Sequence, residues 1–379
     1  MTSKERFLTA LKKGKPDMVP AAPDTSNMIP CRYTGKPYWD IYLYNDPPLH
    51  TAYLKVLKKF KFDGGWEASP DLGTSKDDKR EIKKEIIEKS EDKIITRETY
   101  KTPGGELFQE VVYWKDMPPT IKTKLIKDVQ KDFKLFMKYF FPDPASRDDS
   151  EYQQWKKDLG EDGVASMGLG VSGFPTLIDY FDGSLEAMTY ALYDYPELFE
   201  EYVEIYEDWA VKMMKKAIQV KPDLILTGGS GTITLQSPEI FRKLGLGCLK
   251  KITKMAKDAG IPTLVHACGK AKDLVKICSE ETDLDGINPL EIPPMGDCNL
   301  KELKEKFGTK LCLMGNLHTT EVMLKGTPDE VVREAKKAID DAAAGGAFIL
   351  STGDQTPRDT PEENLYALIE TARTYGKYN

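Results

Sequence analysis

Residues 261–269 read Ile-Pro-Thr-Leu-Val-His-Ala-Cys-Gly, an apolar run that closes on a histidine and a cysteine. The apolar part is typical of a short buried strand, and residues 270–275 begin a helical pattern. The same strand-then-helix unit recurs along the chain. The strand candidates are 18–24, 62–67, 163–170, 223–229, 261–266, 284–291, 310–316 and 347–354. This series of eight units favours a closed α/β fold, the (β/α)8 TIM barrel, over an open doubly wound sheet.

Residues 81–125 depart from this rhythm. Three segments within them, 82–86, 93–99 and 107–114, alternate in the manner of strands, and the turn Thr-Pro-Gly-Gly at 102–105 joins the last two into a hairpin. We expect one barrel domain over residues 1–379, with 81–125 as an antiparallel β insertion. The insertion either lies over one end of the barrel or protrudes and makes only dimer contacts, and both interpretations stay open.

Composition limits the classes of function. The chain has 379 residues, 40% hydrophobic and 30% charged, as expected for a soluble globular enzyme with a sizeable core. A net charge of -7 provides no basic stripe for nucleic acid. No run approaches the roughly 18 apolar residues of a membrane span, and the first residues lack the apolar core of a signal peptide. The 6 cysteines are scattered without a CxxC pair, so we expect reduced thiols and a cytoplasmic protein.

Polar residues at the strand ends are the candidates for the functional site, because active sites of barrels lie at the carboxyl ends of the strands. In the second half of the chain, two acids, a histidine and a cysteine fall at such ends. The sequence has neither a GxGxxG turn opening a βαβ unit nor a phosphate loop, so nucleotide cofactors have no support. The rim candidates are Asp24, Trp66, Glu67, Gly228, Ser230, His266, Cys268, Asn288, Glu291, Asn316, His318, Asp354 and Gln355.

A metal site is one hypothesis for this rim. His266 and Cys268 are two residues apart in a strand pattern, so their side chains point to the same side. With Asp354 or Glu291 as third ligand, they would hold zinc and leave one position open for Lewis-acid chemistry. Without metal, the same groups suit acid/base catalysis, with either carboxyl as the acid and His266 tuning its charge. Two plainer interpretations stay open: a buried cysteine beside a hydrogen-bonded histidine, and a Glu291 that only caps the next helix.

Several stretches resemble the uroporphyrinogen decarboxylase-like superfamily of (β/α)8 barrels, and the likeness covers nearly the whole chain. Its decarboxylases carry an arginine-rich segment after the first strand, which binds a polycarboxylate substrate. The corresponding region here, 24–38, offers only Arg32 and Lys36, so a polyanionic substrate would lack partners. The stretches are 6–11 (Arg-Phe-Leu-Thr-Ala-Leu) with 17–20, 237–241 (Ser-Pro-Glu-Ile-Phe), 266–269 (His-Ala-Cys-Gly), and 353–355 (Gly-Asp-Gln) with 359–364.

The chain is more similar to the superfamily's corrinoid-dependent methyltransferases. Members acting on coenzyme M or methanol-derived methyl groups hold zinc with a His-x-Cys pair and a further cysteine near the last strand. Here Asp354 stands where that cysteine is expected, and a carboxylate is a harder ligand than a thiolate. This departure leaves a Lewis-acid zinc or a metal-free site. The hairpin at 93–114 also resembles that of the O-demethylase methyltransferases, which take methyl groups from aryl methyl ethers.

The resemblance therefore implies an O-demethylase component that moves a methyl group from an aryl methyl ether, such as a methoxylated phenol, to cobalt. A rim acid or zinc would stabilise the leaving phenolate. The chain lacks the Asp-x-His-x-x-Gly loop that binds cobalamin, so cobalamin would arrive on a separate corrinoid protein. The predicted catalytic residues are Asp354, Glu291 and His266; the predicted substrate-binding residues are Trp66, Asn316, Gln355 and Asp24; the predicted metal ligands are His266, Cys268 and Asp354.

Other functions stay open from the sequence. One is a methylcorrinoid:thiol methyltransferase of the coenzyme M type with catalytic zinc. Another is a decarboxylase-like lyase that uses the rim acids, and a third is a binding protein without catalysis. The resemblance also implies a homodimer, and neither nucleic acid nor a membrane is an expected partner.

Overall fold

The computed structural model describes residues 1–378, and its amino-terminal part is helical. The helices are α1 (Ser3–Leu11), α2 (Met28–Thr34), α3 (Tyr38–Tyr42) and α4 (Leu49–Phe60). Helix α1 begins with a capping box, in which the side chains of Thr2 and Glu5 each accept the other residue's backbone N–H. The box fixes where α1 starts, and so directs its apolar face, with Phe7 and Leu11, into the protein.

An antiparallel sheet of four strands follows, as the sequence predicts for residues 81–125. Its strands pair in chain order: β1 (Glu81–Lys89), β2 (Lys93–Thr102), β3 (Gly105–Trp114) and β4 (Thr120–Thr123). The predicted hairpin is its centre, where Thr102 pairs with Gly105 across the turn. Every residue of β1 is exposed, whereas Ile94 and Tyr113 pack with Trp39 of α3. The grouping of all 379 residues into a single domain stays a prediction.

A second, parallel sheet forms the barrel. Its strands are β5 (Ser166–Gly170), β6 (Leu224–Gly228), β7 (Thr263–His266), β8 (Gly286–Asn288), β9 (Cys312–Leu317) and β10 (Phe348–Thr352), and each pairs with the next along the chain. The helices before, between and after them are α5 (Lys134–Tyr139), α6 (Ser150–Leu159), α7 (Phe174–Leu177), α8 (Ser184–Asp194), α9 (Pro196–Val220), α10 (Pro238–Leu244), α11 (Leu246–Asp258), α12 (Lys272–Glu281), α13 (Leu300–Phe307), α14 (Pro328–Ala342) and α15 (Glu362–Thr374).

Two extended segments complete the barrel. The first, 18–24, lies beside β10: Ala22 donates its backbone N–H to the carbonyl of Leu350 at 2.8 Å, and a parallel bridge joins Ala21 to Leu350. The second, 62–66, is bonded on both sides, since Asp63 N–H donates to Ala21 at 2.7 Å and Val164 N–H donates to Gly64 at 2.9 Å. Both segments are too irregular to be continuous strands. The predicted barrel is nevertheless confirmed, because these bonds connect β10 back to the residues before β5.

The interior of the barrel, here called the lumen, is sealed at one end. Phe7 and Leu11 of α1 pack with Leu264 and Ile349 in one buried apolar cluster at the amino ends of the strands. Nearer the carboxyl ends the lumen has space, because a Cβ atom added at Gly168 would meet nothing within 4 Å. Polar strand-end side chains therefore face an open chamber with an apolar floor. Within residues 1–378, no helix combines the length and apolar character needed to cross a membrane.

Candidate active site

Three of the predicted site residues meet at the carboxyl end of the barrel. His266 ends β7, Cys268 follows two residues later, and Asp354 lies two residues beyond β10. A histidine nitrogen, the cysteine sulfur and a carboxylate oxygen of these residues all lie within 4.8 Å of one another. Nε2 of His266 lies 3.7 Å from Oδ1 of Asp354. The three side chains are partly exposed, so a small molecule can reach them.

Asp354 is held in an unusual backbone conformation. Its φ is 108°, in the region that favours glycine, and such strain persists only where neighbouring contacts impose it. The contacts are present: the hydroxyl of Thr352 donates to the carbonyl of Asp354 at 2.8 Å and accepts from the backbone of Asp24 at 3.0 Å. Gly353 donates to the carbonyl of Leu317 at 2.7 Å. The turn after β10 therefore fixes the carboxyl of Asp354 beside His266.

The surroundings of His266 favour its protonated form in the absence of metal. Burial alone lowers the pKa of its imidazole. The hydrogen bond to Cys268 and the negative charges of Asp354 and Asp24 outweigh burial and raise that pKa to about 9. Because a metal ligand must be neutral imidazole, metal binding here would displace a proton from His266.

A pair of buried carboxyls lies next to this cluster. Burial raises the pKa of Asp24 to about 6, helped by the charge of Asp354 and opposed by that of His266. Burial also raises the pKa of Glu67 well above its ordinary value, and the charge of Asp24 adds to the effect. One oxygen of Glu67 accepts a hydrogen bond from the backbone of Thr25 at 3.0 Å. Its other oxygen, and Oδ1 of Asp24, have no hydrogen-bond partner among residues 1–378. The protonated form is therefore favoured in both carboxyls, and Asp24 lies close enough to His266 for their charges to interact.

The amide of Asn288 belongs to a rim candidate for which the sequence predicted no specific role. Asn288 ends β8 directly beside His266 in the sheet and is fully buried. Neither atom of its amide has a hydrogen-bond partner in the described part of the chain. A buried amide without partners is costly, so it marks a position where a ligand or water completes the bonding. Its place at a strand end was the signal in the sequence, but nothing there separated it from other rim residues.

Glu291 and Asn316, two further predicted site residues, each make a hydrogen bond to the protein backbone. Glu291 is buried and accepts a hydrogen bond from the backbone N–H of Gly269, next to the cluster. Burial raises the pKa of this carboxyl, opposed by the same backbone hydrogen bond and reinforced by the charge of Asp354. Asn316 is also buried, and its amide donates to the carbonyl of Leu290 at 2.8 Å. Their predicted roles stay predictions, since each has a structural partner.

Two other rim residues hold the backbone in place. The amide of Gln355 donates to Ser26 and Asn27 at 2.6 Å each, and so joins the turn after β10 to the segment before α2. The imidazole of His318 accepts two backbone N–H groups of the following helical turn, as a capping residue does. Trp66, by contrast, lies in the lumen wall with an indole N–H that has no acceptor among the described residues.

The donor set fits a zinc ion. Imidazole nitrogen, thiolate sulfur and carboxylate oxygen are the three ligand types of zinc, and a catalytic zinc takes three protein ligands and keeps one open position. The atoms of His266, Cys268 and Asp354 are close enough for one ion to reach all of them after small side-chain movements. The three donor atoms therefore match the ligand chemistry of a catalytic zinc site.

Arg32 and Lys36, the two cations in region 24–38, already have partners within the protein. The guanidinium of Arg32 donates to the carbonyl oxygens of Arg358 and Thr360, and the amine of Lys36 pairs with Asp46 at 2.6 Å. A polycarboxylate substrate is therefore disfavoured at this mouth.

Comparison with known proteins identifies the family to which the chain belongs. Residues 162–375, more than half of the chain, match uroporphyrinogen decarboxylase (URO-D). The chain belongs to this family. The matched part of this URO-D family member contains His266, Cys268, Asn288, Glu291 and Asp354, whereas Asp24 and Glu67 lie before it.

Relatives of this URO-D family member have more than one activity in their names. It is 25% identical over 180 residues to the methylcobamide:CoM methyltransferase MtbA of Methanosarcina acetivorans, covering 47% of this chain and 50% of that protein. It is 27% identical over 212 residues to a uroporphyrinogen decarboxylase of Wolbachia sp., covering 55% and 59%. The chain thus spans about half the length of the curated relatives it matches. A solved methyltransferase from Methanosarcina mazei matches 99% of both chains with a TM-score of 0.68 and 20% identity, which shows the shared fold.

Proposed function

We propose that this protein is a corrinoid-dependent methyltransferase that moves a methyl group between a small molecule and the cobalt of a partner corrinoid protein. The observation that supports it most is the meeting of His266, Cys268 and Asp354 at an open lumen. Relatives named methylcobamide:CoM methyltransferases point to the same chemistry. In this proposal the cobalt is carried by a separate corrinoid protein.

The site residues have distinct roles in this proposal. His266, Cys268 and Asp354 would hold zinc, which supplies Lewis acidity to a bound thiol or leaving oxygen. The Asp24–Glu67 pair holds a proton within reach of the reacting oxygen or sulfur. Asn288 offers both a donor and an acceptor to orient the substrate. The floor of the lumen excludes water from below.

A thiol is the first candidate for the small molecule. Transfer to a thiol breaks the cobalt–methyl bond and forms a carbon–sulfur bond, and the thiol's proton must leave before or during the step. The relatives named methylcobamide:CoM methyltransferases favour this direction. In it, the neighbouring carboxyls accept the proton.

An aryl methyl ether is the second candidate, favoured by the carboxylate of Asp354. A harder ligand set gives a more electrophilic zinc, which suits a leaving oxygen better than it activates a thiolate. In this direction the carbon–oxygen bond breaks, the methyl carbon bonds to cobalt(I), and the electron pair stays on the phenolate oxygen. The proton held by Asp24 and Glu67 then neutralises the phenolate.

Two spectroscopic assays separate these candidates. Zinc-loaded protein is mixed with methylcob(III)alamin and 2-mercaptoethanesulfonate, or with cob(I)alamin and 2-methoxyphenol. Loss of methylcobalamin absorbance in the first mixture supports the thiol, and gain of it in the second supports the ether. Asp354→Ala serves as the site control in both. Inertness of folded, metal-loaded protein toward a broad panel of thiols and methyl ethers would overturn the proposal.

Location and assembly form part of the same proposal. All 6 cysteines are free in the structure, which fits a reducing cytoplasmic compartment. The homodimer is carried over from the resemblance, and sedimentation of the purified protein tests it.

A further inference from the structure

A cavity of about 530 Å³ opens beside the lumen, between segment 62–66 and β5. Ser166, Gly168 and Leu226 of the barrel sheet and Trp209 of α9 are among the residues that line it. Gly168 pairs with Leu226 in the sheet, and Leu226 lies two residues before Gly228, the neighbour of His266. Alternate residues of a strand face the same side, so the cavity lies on the same face of the sheet as the candidate active site.

Arg147 on this cavity is a cation without a partner. Among residues 1–378 its guanidinium forms no ion pair or hydrogen bond, and its Nε is buried without an acceptor. Burial lowers the pKa of this guanidinium. The neighbouring Arg80 shows the contrast, since it binds both oxygens of Asp78 at 2.8 and 2.6 Å. A half-buried guanidinium without an acid is costly unless an anion from outside the chain completes it.

Trp66 adds a second donor on the same cavity. It is 2% exposed, and its indole N–H has no acceptor in the described chain. Buried indole N–H groups ordinarily find a partner. Two side chains from distant parts of the sequence thus line one cavity, and each carries an N–H group without an acceptor among the described residues.

The loop that carries Arg147 is fixed before any ligand arrives. Ser146 accepts the backbone N–H of Lys76 at 2.9 Å, and Asp148 accepts that of Gly73 at 2.8 Å. The indole of Trp209 donates to the carbonyl of Pro142 at 3.2 Å, just before this loop. Preorganised donors lose little conformational entropy when they bind, which strengthens binding.

Two acidic side chains also face the cavity. Glu67 is partly buried, and burial raises the pKa of its carboxyl well above its ordinary value, which disfavours the charged form. Asp71 lies close enough to Arg147 to act on its charge, but not within the distance of an ion pair. Asp71 is therefore the group with which an incoming anion competes.

We infer that this cavity binds the anionic end, a carboxylate or sulfonate, of the small organic molecule that reacts beside His266. The guanidinium of Arg147 and the indole N–H of Trp66 bind the anion, and Phe140, Tyr180 and Trp209 contact the apolar part. The inference rests on the proposed function for the identity of the reacting end. The anion-binding subsite itself stands on Arg147 and Trp66 alone.

Calorimetric titration of the zinc-loaded protein tests the subsite without any turnover. The anionic probes are 2-mercaptoethanesulfonate and 3-methoxybenzoate, and their uncharged counterparts are 2-mercaptoethanol and methoxybenzene. We expect Arg147→Gln to weaken binding of at least one anionic probe about tenfold or more, while the uncharged probes change less than about twofold. Which anion responds distinguishes the sulfonate from the carboxylate.

Three further variants complete the test. Trp66→Phe keeps the aromatic packing and is expected to weaken the same anionic probe about threefold or more. Asp71→Asn removes the competing charge and is expected to strengthen that probe. Arg333→Gln removes one exposed charge on α14 and is the matched control.

The outcomes separate the two proposals. The subsite is overturned if Arg147→Gln and Arg333→Gln behave alike, or if the wild type binds neither anionic probe better than its uncharged counterpart. If anions bind through Arg147 but no methyl group moves in the cobalamin assays, the subsite stands and the proposed function fails.

Discussion

Nε2 of His266 lies 3.7 Å from Oδ1 of Asp354, although their strands, β7 and β10, are separated in the sheet by β8 and β9. The curvature of the barrel brings the two strand ends across the lumen. Cys268 completes the group, because it follows His266 on the same side of the chain. The metal, the protonated carboxyls and the substrate position in our proposals are all defined relative to this pair.

The first prediction concerns the metal. We expect the wild type to bind one zinc per chain, and His266→Ala or Cys268→Ala to lose it. Asp354→Cys should bind zinc at least about tenfold more tightly than the wild type, because a thiolate is a softer and stronger zinc donor. Competition with a chromogenic chelator measures each affinity. Cys278→Ala, which removes a buried thiol far along α12, is the control, and equal zinc loss in it would contradict the assignment.

The second prediction concerns the strained backbone of Asp354. Glycine adopts a φ of 108° without strain, whereas alanine at this position is strained as aspartate is. In metal-free protein, Asp354→Gly should therefore be more stable than Asp354→Ala by about 1 kcal/mol. Both variants should bind zinc poorly. Urea unfolding in the presence of a chelator measures the difference, and a glycine variant less stable than the alanine variant would argue against stored strain.

The third prediction is a pH dependence from Glu67. Its pKa in the folded protein lies above the unfolded value, so the folded protein keeps a proton that the unfolded chain releases. The resulting stability is complete below about pH 4.5 and falls by about 1.4 kcal/mol per pH unit as pH rises towards the folded pKa. Glu67→Gln removes this loss, so its advantage in unfolding free energy over the wild type should grow between pH 5 and 8.

Urea unfolding across that range measures the Glu67 effect. Glu186→Gln, at an exposed position on α8, should follow the wild type at every pH. Parallel curves for Glu67→Gln and the wild type would mean that the buried carboxyl is not protonated in the folded protein.

The fourth prediction concerns Asn288. Leucine has a similar shape and no polar atoms, so Asn288→Leu removes a buried amide that has no partner in residues 1–378. We expect thermal stability to be unchanged or to rise, by about 1 kcal/mol, while methyl transfer falls at least about tenfold. Calorimetry and the cobalamin assay measure the two effects. A variant that is both unstable and active would show that Asn288 serves the fold instead of the substrate.

The fifth prediction concerns closure of the barrel. Arg6 of α1 binds the buried carboxyl of Asp63 at 2.8 Å, and the same carboxyl accepts the backbone N–H of Ala21 at 3.0 Å. Asp63→Asn should cost about 3 kcal/mol, since it leaves a buried guanidinium with a weaker partner and disturbs the join between the two extended segments. Asp17→Asn removes the more exposed partner of Arg6 and should cost about 1 kcal/mol or less. Equal losses in thermal unfolding would exclude a special role for Asp63.

The fold could be predicted because apolar strand runs and helical patterns are local signals. The sequence predicts strands at 18–24 and 62–67, whereas their irregular form depends on hydrogen bonds to β10 and to Val164 that no local pattern contains. The antiparallel insertion was recognisable for the same reason as the barrel strands. Its turn at 102–105 has the glycines and proline that such a hairpin requires.

The site was only partly predictable. His-x-Cys is a local motif, and Asp354 followed from its strand end. Whether a polar side chain is already engaged depends on tertiary contacts, so the sequence could not separate the bonded Gln355 from the unpartnered Asn288. Arg147 gave no signal at all, because an absent ion pair becomes visible only in three dimensions.

Helix α1 closes the barrel at the amino ends of the strands, so molecules cannot enter the lumen from that end. A protein as large as a corrinoid carrier, bound over the opening at the carboxyl ends of the strands, would block that opening. The small reactant would then have to bind before the carrier, or else enter through the cavity beside segment 62–66. Order-of-addition kinetics would report which of these routes the molecule takes, and narrowing the cavity with a bulky residue at Gly168 would turn a random order into a compulsory one.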